Sequence, residues 1–106
     1  MNEIFRKKVV HALNNEVRVN ILELLESKDM SVSEITDKLV TKQSNISQQL
    51  ACLKDCGLIT SKKDGKYVIY SLTSKKIFHL LEVIDQVGND IGWNESTEEE
   101  CISNVD

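Results

Sequence analysis

A mainly α-helical domain carrying one small β-hairpin is predicted by three observations. Apolar residues recur at helical spacing in four separate stretches. Between residues 58 and 72 the period changes to that of strands, around an Asp64-Gly65 turn signal. Two of the helical stretches are joined by only Val40-Thr41, the spacing of a helix-turn-helix. A helix-turn-helix followed by a basic hairpin is a winged helix, so the expected fold is a winged helix-turn-helix.

The first helix is expected from Asn2 to Leu13, with Ile4, Phe5, Val9, Ala12 and Leu13 on its apolar side. Asn14 or Asn15 can cap the second, about Glu16 to Ser27, whose stripe is Val17, Ile21, Leu24 and Leu25. Ser31-Val32-Ser33-Glu34 has the form of a capping box and opens a short helix to about Leu39. The stretch Thr41 to Gly57 reads as one helix, with Thr41 as its cap and Gly57 as the left-handed residue that ends it. Ile46, Leu50 and Leu53 form its apolar side.

The hairpin pairs Leu58-Ile59-Thr60-Ser61 with Tyr67 to Leu72, with Val68, Tyr70 and Leu72 facing the core and a lysine-rich tip. A final helix from Ser74 to about Val87 carries Ile77, Leu80, Leu81, Ile84 and Val87, and Gly88-Asn89-Asp90-Ile91-Gly92 breaks the pattern. The first and last helices offer more apolar surface than one small core needs. A homodimer interface is the expected use of the surplus.

At 106 residues the chain makes one small domain, and 41% hydrophobic residues suffice for a modest core. The domain is expected at 1–92, followed by an acidic tail at 93–106. The net charge of −4 argues against nucleic acid only until its distribution is considered. Glu95, Glu98, Glu99, Glu100 and Asp106 belong to the tail, leaving 13 basic and 12 acidic side chains before it. Five lysines against two aspartates lie between Lys42 and Lys66. No apolar run approaches the ~20 residues of a membrane span. The N-terminal M-N-E-I-F-R-K-K lacks the apolar core of a signal peptide, so no membrane partner and a cytoplasmic location are expected.

The Thr41–Gly57 helix has two candidate jobs. Its start presents Lys42, Gln43, Ser44, Asn45, Ser47 and Gln48, side chains that hydrogen-bond to phosphates and base edges. Lys62, Lys63 and Lys66 of the hairpin are placed to meet phosphates beside it, so double-stranded DNA is the expected partner. The helix also carries Cys52 and Cys56, four residues apart and on one face. A single cysteine is read most simply as a small core hydrophobe. Two on one face, with Cys101 as a third in a polar tail, favour metal ligands. Three thiolates select soft ions: Cd(II) and Pb(II), with arsenite also suited. Zn(II) usually takes four ligands, and no nearby residue is an obvious fourth. His11 and His79 have no spaced partner and read as helix residues at the core edge or dimer interface.

These residues resemble the ArsR/SmtB family of bacterial metal-responsive repressors. The matching pieces are A-L-N-N-E-V-R-V-N-I-L-E-L-L (12–25), S-V-S-E-I-T-D-K-L (31–39), S-N-I-S-Q-Q-L-A-C-L-K-D-C-G-L-I (44–59) and K-D-G-K-Y-V-I-Y-S-L (63–72). One departure is Gln49, where many members carry histidine. The resemblance implies a dimer that binds operator DNA without ligand and releases it when ligand binds. Two familiar sensing sites of the family have no match here: Ser33 to Asp37 contains no cysteine, and Asp85-Gln86-Val87 lacks a partner histidine. Cys52, Cys56 and Cys101 are similar to the cadmium/lead-sensing branch typified by CmtR, in which the tail cysteine comes from the other subunit.

A thiol redox or persulfide sensor on the same scaffold is the alternative. Cβ atoms ~5–6 Å apart at i, i+4 exceed the ~3.8 Å that a disulfide wants, so a Cys52–Cys56 bond would strain the helix. An enzyme is not expected, because no constellation supplies a nucleophile with its base and oxyanion site. A winged helix that binds only protein would lack salt-dependent DNA affinity.

Overall fold

The computed structural model describes residues 3–92. Its elements are α1 (Glu3–Leu13), α2 (Glu16–Ser27), β1 (Met30–Ser31), α3 (Val32–Lys38), α4 (Gln43–Asp55), β2 (Ile59–Asp64), β3 (Tyr67–Leu72) and α5 (Lys76–Asp90). The three strands form an antiparallel sheet in the order β1-β3-β2. The winged helix-turn-helix is therefore present. The expectations at Asn2 and in the tail, Cys101 included, lie outside the described residues.

Local chemistry explains most boundaries. Asn15 caps α2 by accepting from the Arg18 backbone N–H at 3.0 Å. The capping box at α3 is complete: Glu34 N–H donates to Ser31 Oγ, and Ser31 N–H donates to Glu34 Oε1. α4 ends in a Schellman motif, with Leu58 N–H on Leu53 O, Gly57 N–H on Lys54 O, and Gly57 at φ 85°. Leu53 and Leu58 are both buried, which supplies the apolar contact that accompanies this cap.

Several expectations are corrected. Thr41 does not cap α4; Lys42 holds the cap position without a side-chain bond, and the Thr41 hydroxyl accepts from Asn45 Nδ2 instead. In the hairpin Asp64 pairs with Tyr67, so the two-residue loop is Gly65-Lys66 rather than Asp64-Gly65. Gly65 has φ 64° and no non-glycine residue among those described has positive φ, as in a type II′ turn. Val68 is exposed, because it pairs with Lys63 close to the tip, where the wing extends beyond the core. Tyr70 and Leu72, nearer the base, do pack on the core. Gly88 does not end α5. The helix runs to Asp90, and Gly92 at φ 80° follows its end.

The core joins Ala12 of α1, Ile21, Leu22 and Leu25 of α2, Ile35 of α3, and Ile46, Leu50 and Leu53 of α4. Met30, Ile59 and Leu81 complete it from the sheet and α5. The face of α2 that turns inward is rotated from the expected stripe: Arg18 and Leu22 are buried, while Val17 and Leu24 are only partly so. On α5, Leu81 is buried and Ile77 packs on the core, but Leu80, Val83, Ile84, Val87 and Ile91 are exposed. Phe5 and Val10 of α1 are exposed as well. No described helix is long and apolar enough to cross a membrane.

Candidate nucleic-acid interface and thiol pair

α3 and α4 pack against each other across the Leu39–Lys42 turn, and Ile46, Leu50 and Leu53 anchor α4 in the core. That orientation leaves Lys42, Gln43, Ser44, Ser47 and Gln48 exposed on one outer surface. Asn45 is half-buried and its amide is engaged twice, donating to Thr41 Oγ1 at 3.1 Å and accepting from Gln49 Nε2 at 3.0 Å. Both bonds hold the Asn45 amide along α4, beside the exposed side chains rather than among them. Lys62, Lys63 and Lys66 are exposed on the wing. Lys66 Nζ sits 5.5 Å from the Tyr67 ring centroid, a cation–π arrangement at the turn. Lys54 Nζ donates to Ser61 Oγ at 2.7 Å and so ties the end of α4 to the wing.

Arg18 is a buried cation that composition did not reveal. Its Nε donates to Ala12 O, and its Nη2 to His11 O and Asn14 O. These include carbonyls that the end of α1 leaves unpaired, and a cation there also suits the helix dipole. Nη1 reaches Gln49 Oε1 at 2.8 Å, joining the cap of α1 to α4. A basic residue amid the apolar spacing of α2 was the one available sign of this.

Cys52 lies in α4 and Cys56 at its C-cap; both are half-buried free thiols. Cys56 packs against the core, and burial is the first cause that pushes its thiol up, followed by neighbouring Cys52; Arg18 and Lys8 pull weakly the other way. Cys52 Sγ lies 3.7 Å from His11 Nε2. That contact was not foreseen, because it joins residues 41 apart that only the tertiary fold brings together. His79 stands elsewhere, 3.8 Å from Glu82. Among the described residues no three His, Cys, Asp or Glu side chains already converge on a metal-binding geometry. The donor pair itself fits a soft ion: two thiols on one face with a solvent-reachable edge.

The model of the "Bacterial regulatory protein, arsR family" matches residues 15–61, from α2 into β2. The transcriptional activator HlyU of Vibrio cholerae is 33% identical over 79 residues, covering 74% of this chain and 73% of that protein. Its structure superposes with a TM-score of 0.72 at 30% identity, covering 82% and 97% of the two chains. The Mycobacterium tuberculosis regulator Rv0081 is 40% identical over 76 residues, covering 71% and 67%. Its crystal structure gives a TM-score of 0.74 at 32% identity, covering 86% and 94%. The M. tuberculosis repressor SmtB is 31% identical over 84 residues, covering 78% of this chain and 62% of that protein. These relatives are transcriptional regulators rather than enzymes, and the chain belongs to the arsR family of bacterial regulatory proteins.

Proposed function

We propose that the chain is a homodimeric repressor that binds double-stranded operator DNA through α4 and the wing, and releases it when a soft metal ion binds Cys52, Cys56 and Cys101. Cd(II) and Pb(II) are the expected effectors; Zn(II) and arsenite also fit thiolate donors. One observation carries this reading. The exposed face of α4 and the two half-buried thiols belong to one rigid helix of 13 residues and its cap. An ion tied to the thiols therefore acts on the element that must lie in the major groove. Operator half-sites demand a fixed separation of the two recognition helices, so a small reorientation suffices to release DNA. The exposed apolar residues of α1 and α5 support the dimer that sets this separation.

A bound ion, held by these cysteines, would supply a Lewis-acidic centre that favours thiolates over thiols. The protein holds two of the donors on one face of α4 and keeps Cys56 against the core. Selection of a binding duplex from a random pool, followed by titration of the reduced protein with each ion while DNA binding is monitored, tests the reading. Release by Cd(II) or Pb(II) but not by Mg(II) is expected.

The redox or persulfide alternative keeps one supporting fact: HlyU of V. cholerae, 31% identical in its reduced form, has the same fold with a TM-score of 0.69. Burial of Cys56 counts against that thiol as the attacking group, because the thiolate is the nucleophile. Mass spectrometry after mild oxidation distinguishes the two.

A further inference from the structure

The contact between Cys52 and His11 has a length that coordination chemistry recognises. Zn–S and Zn–N bonds of about 2.3 and 2.05 Å at a tetrahedral angle separate the two donor atoms by about 3.6 Å. Sγ and Nε2 are 3.7 Å apart. His11 belongs to the last turn of α1, and its position is fixed from behind. Its backbone carbonyl accepts from Arg18 Nη2 at 2.8 Å, and the same guanidinium holds Gln49 of α4. The imidazole itself is exposed, so an ion can approach it. Cys56 stands one turn further along the face of Cys52. Two sulfurs sharing a tetrahedral ion lie about 3.8 Å apart, within reach of a rotamer change at residues with Cβ atoms ~5–6 Å apart.

We propose that His11 is a metal ligand, so that one ion is held by an imidazole of α1 and the two thiolates of α4. The proposal rests on the reading of Cys52 and Cys56 as metal ligands and adds a donor that sequence spacing did not suggest. It changes the expected selectivity. An imidazole beside thiolates suits Zn(II) and Cd(II), whereas arsenite gains nothing from it. It also gives the ion a mechanical role. α1 carries the exposed Phe5 and Val10 of the dimer face, and α4 carries the reading surface. An ion shared by the two helices couples dimer geometry directly to the DNA-binding helix.

The test uses the reduced 106-residue chain, its His11→Ala variant and the Cys52→Ser/Cys56→Ser double variant. Chelator competition measures Zn(II) and Cd(II) affinity, near-ultraviolet absorption reports thiolate–cadmium bonds, and nitrogen NMR follows the imidazoles. The proposal expects the His11 Nε2 resonance of the wild type to shift on metal binding. It expects His11→Ala to keep the thiolate–cadmium band at saturation. Its Zn(II) and Cd(II) affinity should fall by at least about tenfold, the lower bound seen even for outer-sphere partners of a metal site. Arsenite affinity should be unchanged. If His11→Ala binds Zn(II) and Cd(II) as tightly as the wild type while the thiolate band persists, His11 is only a hydrogen-bonding neighbour and the proposal fails alone. If the wild type shows no thiolate band, or the double cysteine variant retains full affinity, the cysteine reading fails and takes this proposal with it.

Discussion

Arg18 of α2 donates from Nη1 to Gln49 Oε1 of α4 at 2.8 Å, and this bond lies in a line of polar contacts across the domain. From Gln49 the line continues to Asn45 and Thr41 at the helix-turn-helix turn; from Arg18 it reaches the carbonyls of His11, Ala12 and Asn14. No buried side-chain N or O among the described residues lacks a partner.

Gln49→Ala removes one partner of a largely buried cation. A loss of about 1–2 kcal/mol in folding stability is expected, and about 2–4 kcal/mol for Arg18→Ala, which strips the cap from α1. Urea unfolding at fixed protein concentration checks this, since the stability of the proposed dimer would depend on concentration. A Gln49→Ala variant as stable as the wild type would show that the contact carries no net energy.

The proposed DNA contacts should divide by role. Lys63→Ala should weaken binding to all duplexes and reduce the salt slope by about 1, the signature of one lost phosphate contact. Gln48→Ala should change sequence preference and leave the salt slope unchanged. Anisotropy titrations from low to high salt on several duplexes separate the two. If Gln48→Ala alters neither affinity nor preference, the reading face lies elsewhere on α4.

The sequence made some of this legible because caps and periods are local. Ser31 with Glu34, Asn15 and Gly57 all act within six residues of themselves. β1 was not legible: two residues cannot display an alternation, and its partner is β3, some 40 positions away. Gly88 misled because glycine within a helix costs only about 1 kcal/mol relative to alanine, too little by itself to end α5. Arg18 was not legible either: a charge ordinarily belongs at the surface, whereas here helix-end carbonyls offer it a buried place. The Cys52–Cys56 face followed from spacing; the arrival of His11 beside it depends on how α1 crosses the domain.

The proposed dimer face can be disrupted directly. Ile84 is 47% exposed on α5, so Ile84→Glu adds a charge without disturbing the protomer core. Sedimentation at micromolar concentration should show a dimer for the wild type and a shift to monomer for the variant. A wild-type monomer would remove the proposed interface altogether.

Acid stability should depend on Lys28 and Glu34. Lys28 Nζ lies 3.0 Å from Glu34 Oε2, and that bond first, then the Ser31 backbone N–H, holds the Glu34 carboxyl below its ordinary range. A depressed carboxylate contributes stability above its unfolded-state pKa and loses it as pH falls through the folded one. Thermal melts of the wild type should therefore decline below the ordinary glutamate range, and Lys28→Ala should lose part of this pH dependence. Identical pH profiles for the two proteins would mean that the ion pair is energetically silent, as many exposed pairs are.

Metal is proposed to act on DNA affinity through the thiols of α4. The direct measurement is operator binding by the wild type, Cys52→Ser and Cys56→Ser, each reduced and titrated with Cd(II). Near-equal operator affinity is expected for all three without metal, and release by Cd(II) for the wild type alone. Release of either serine variant at the same Cd(II) concentration would contradict it, and would return that cysteine to a packing role.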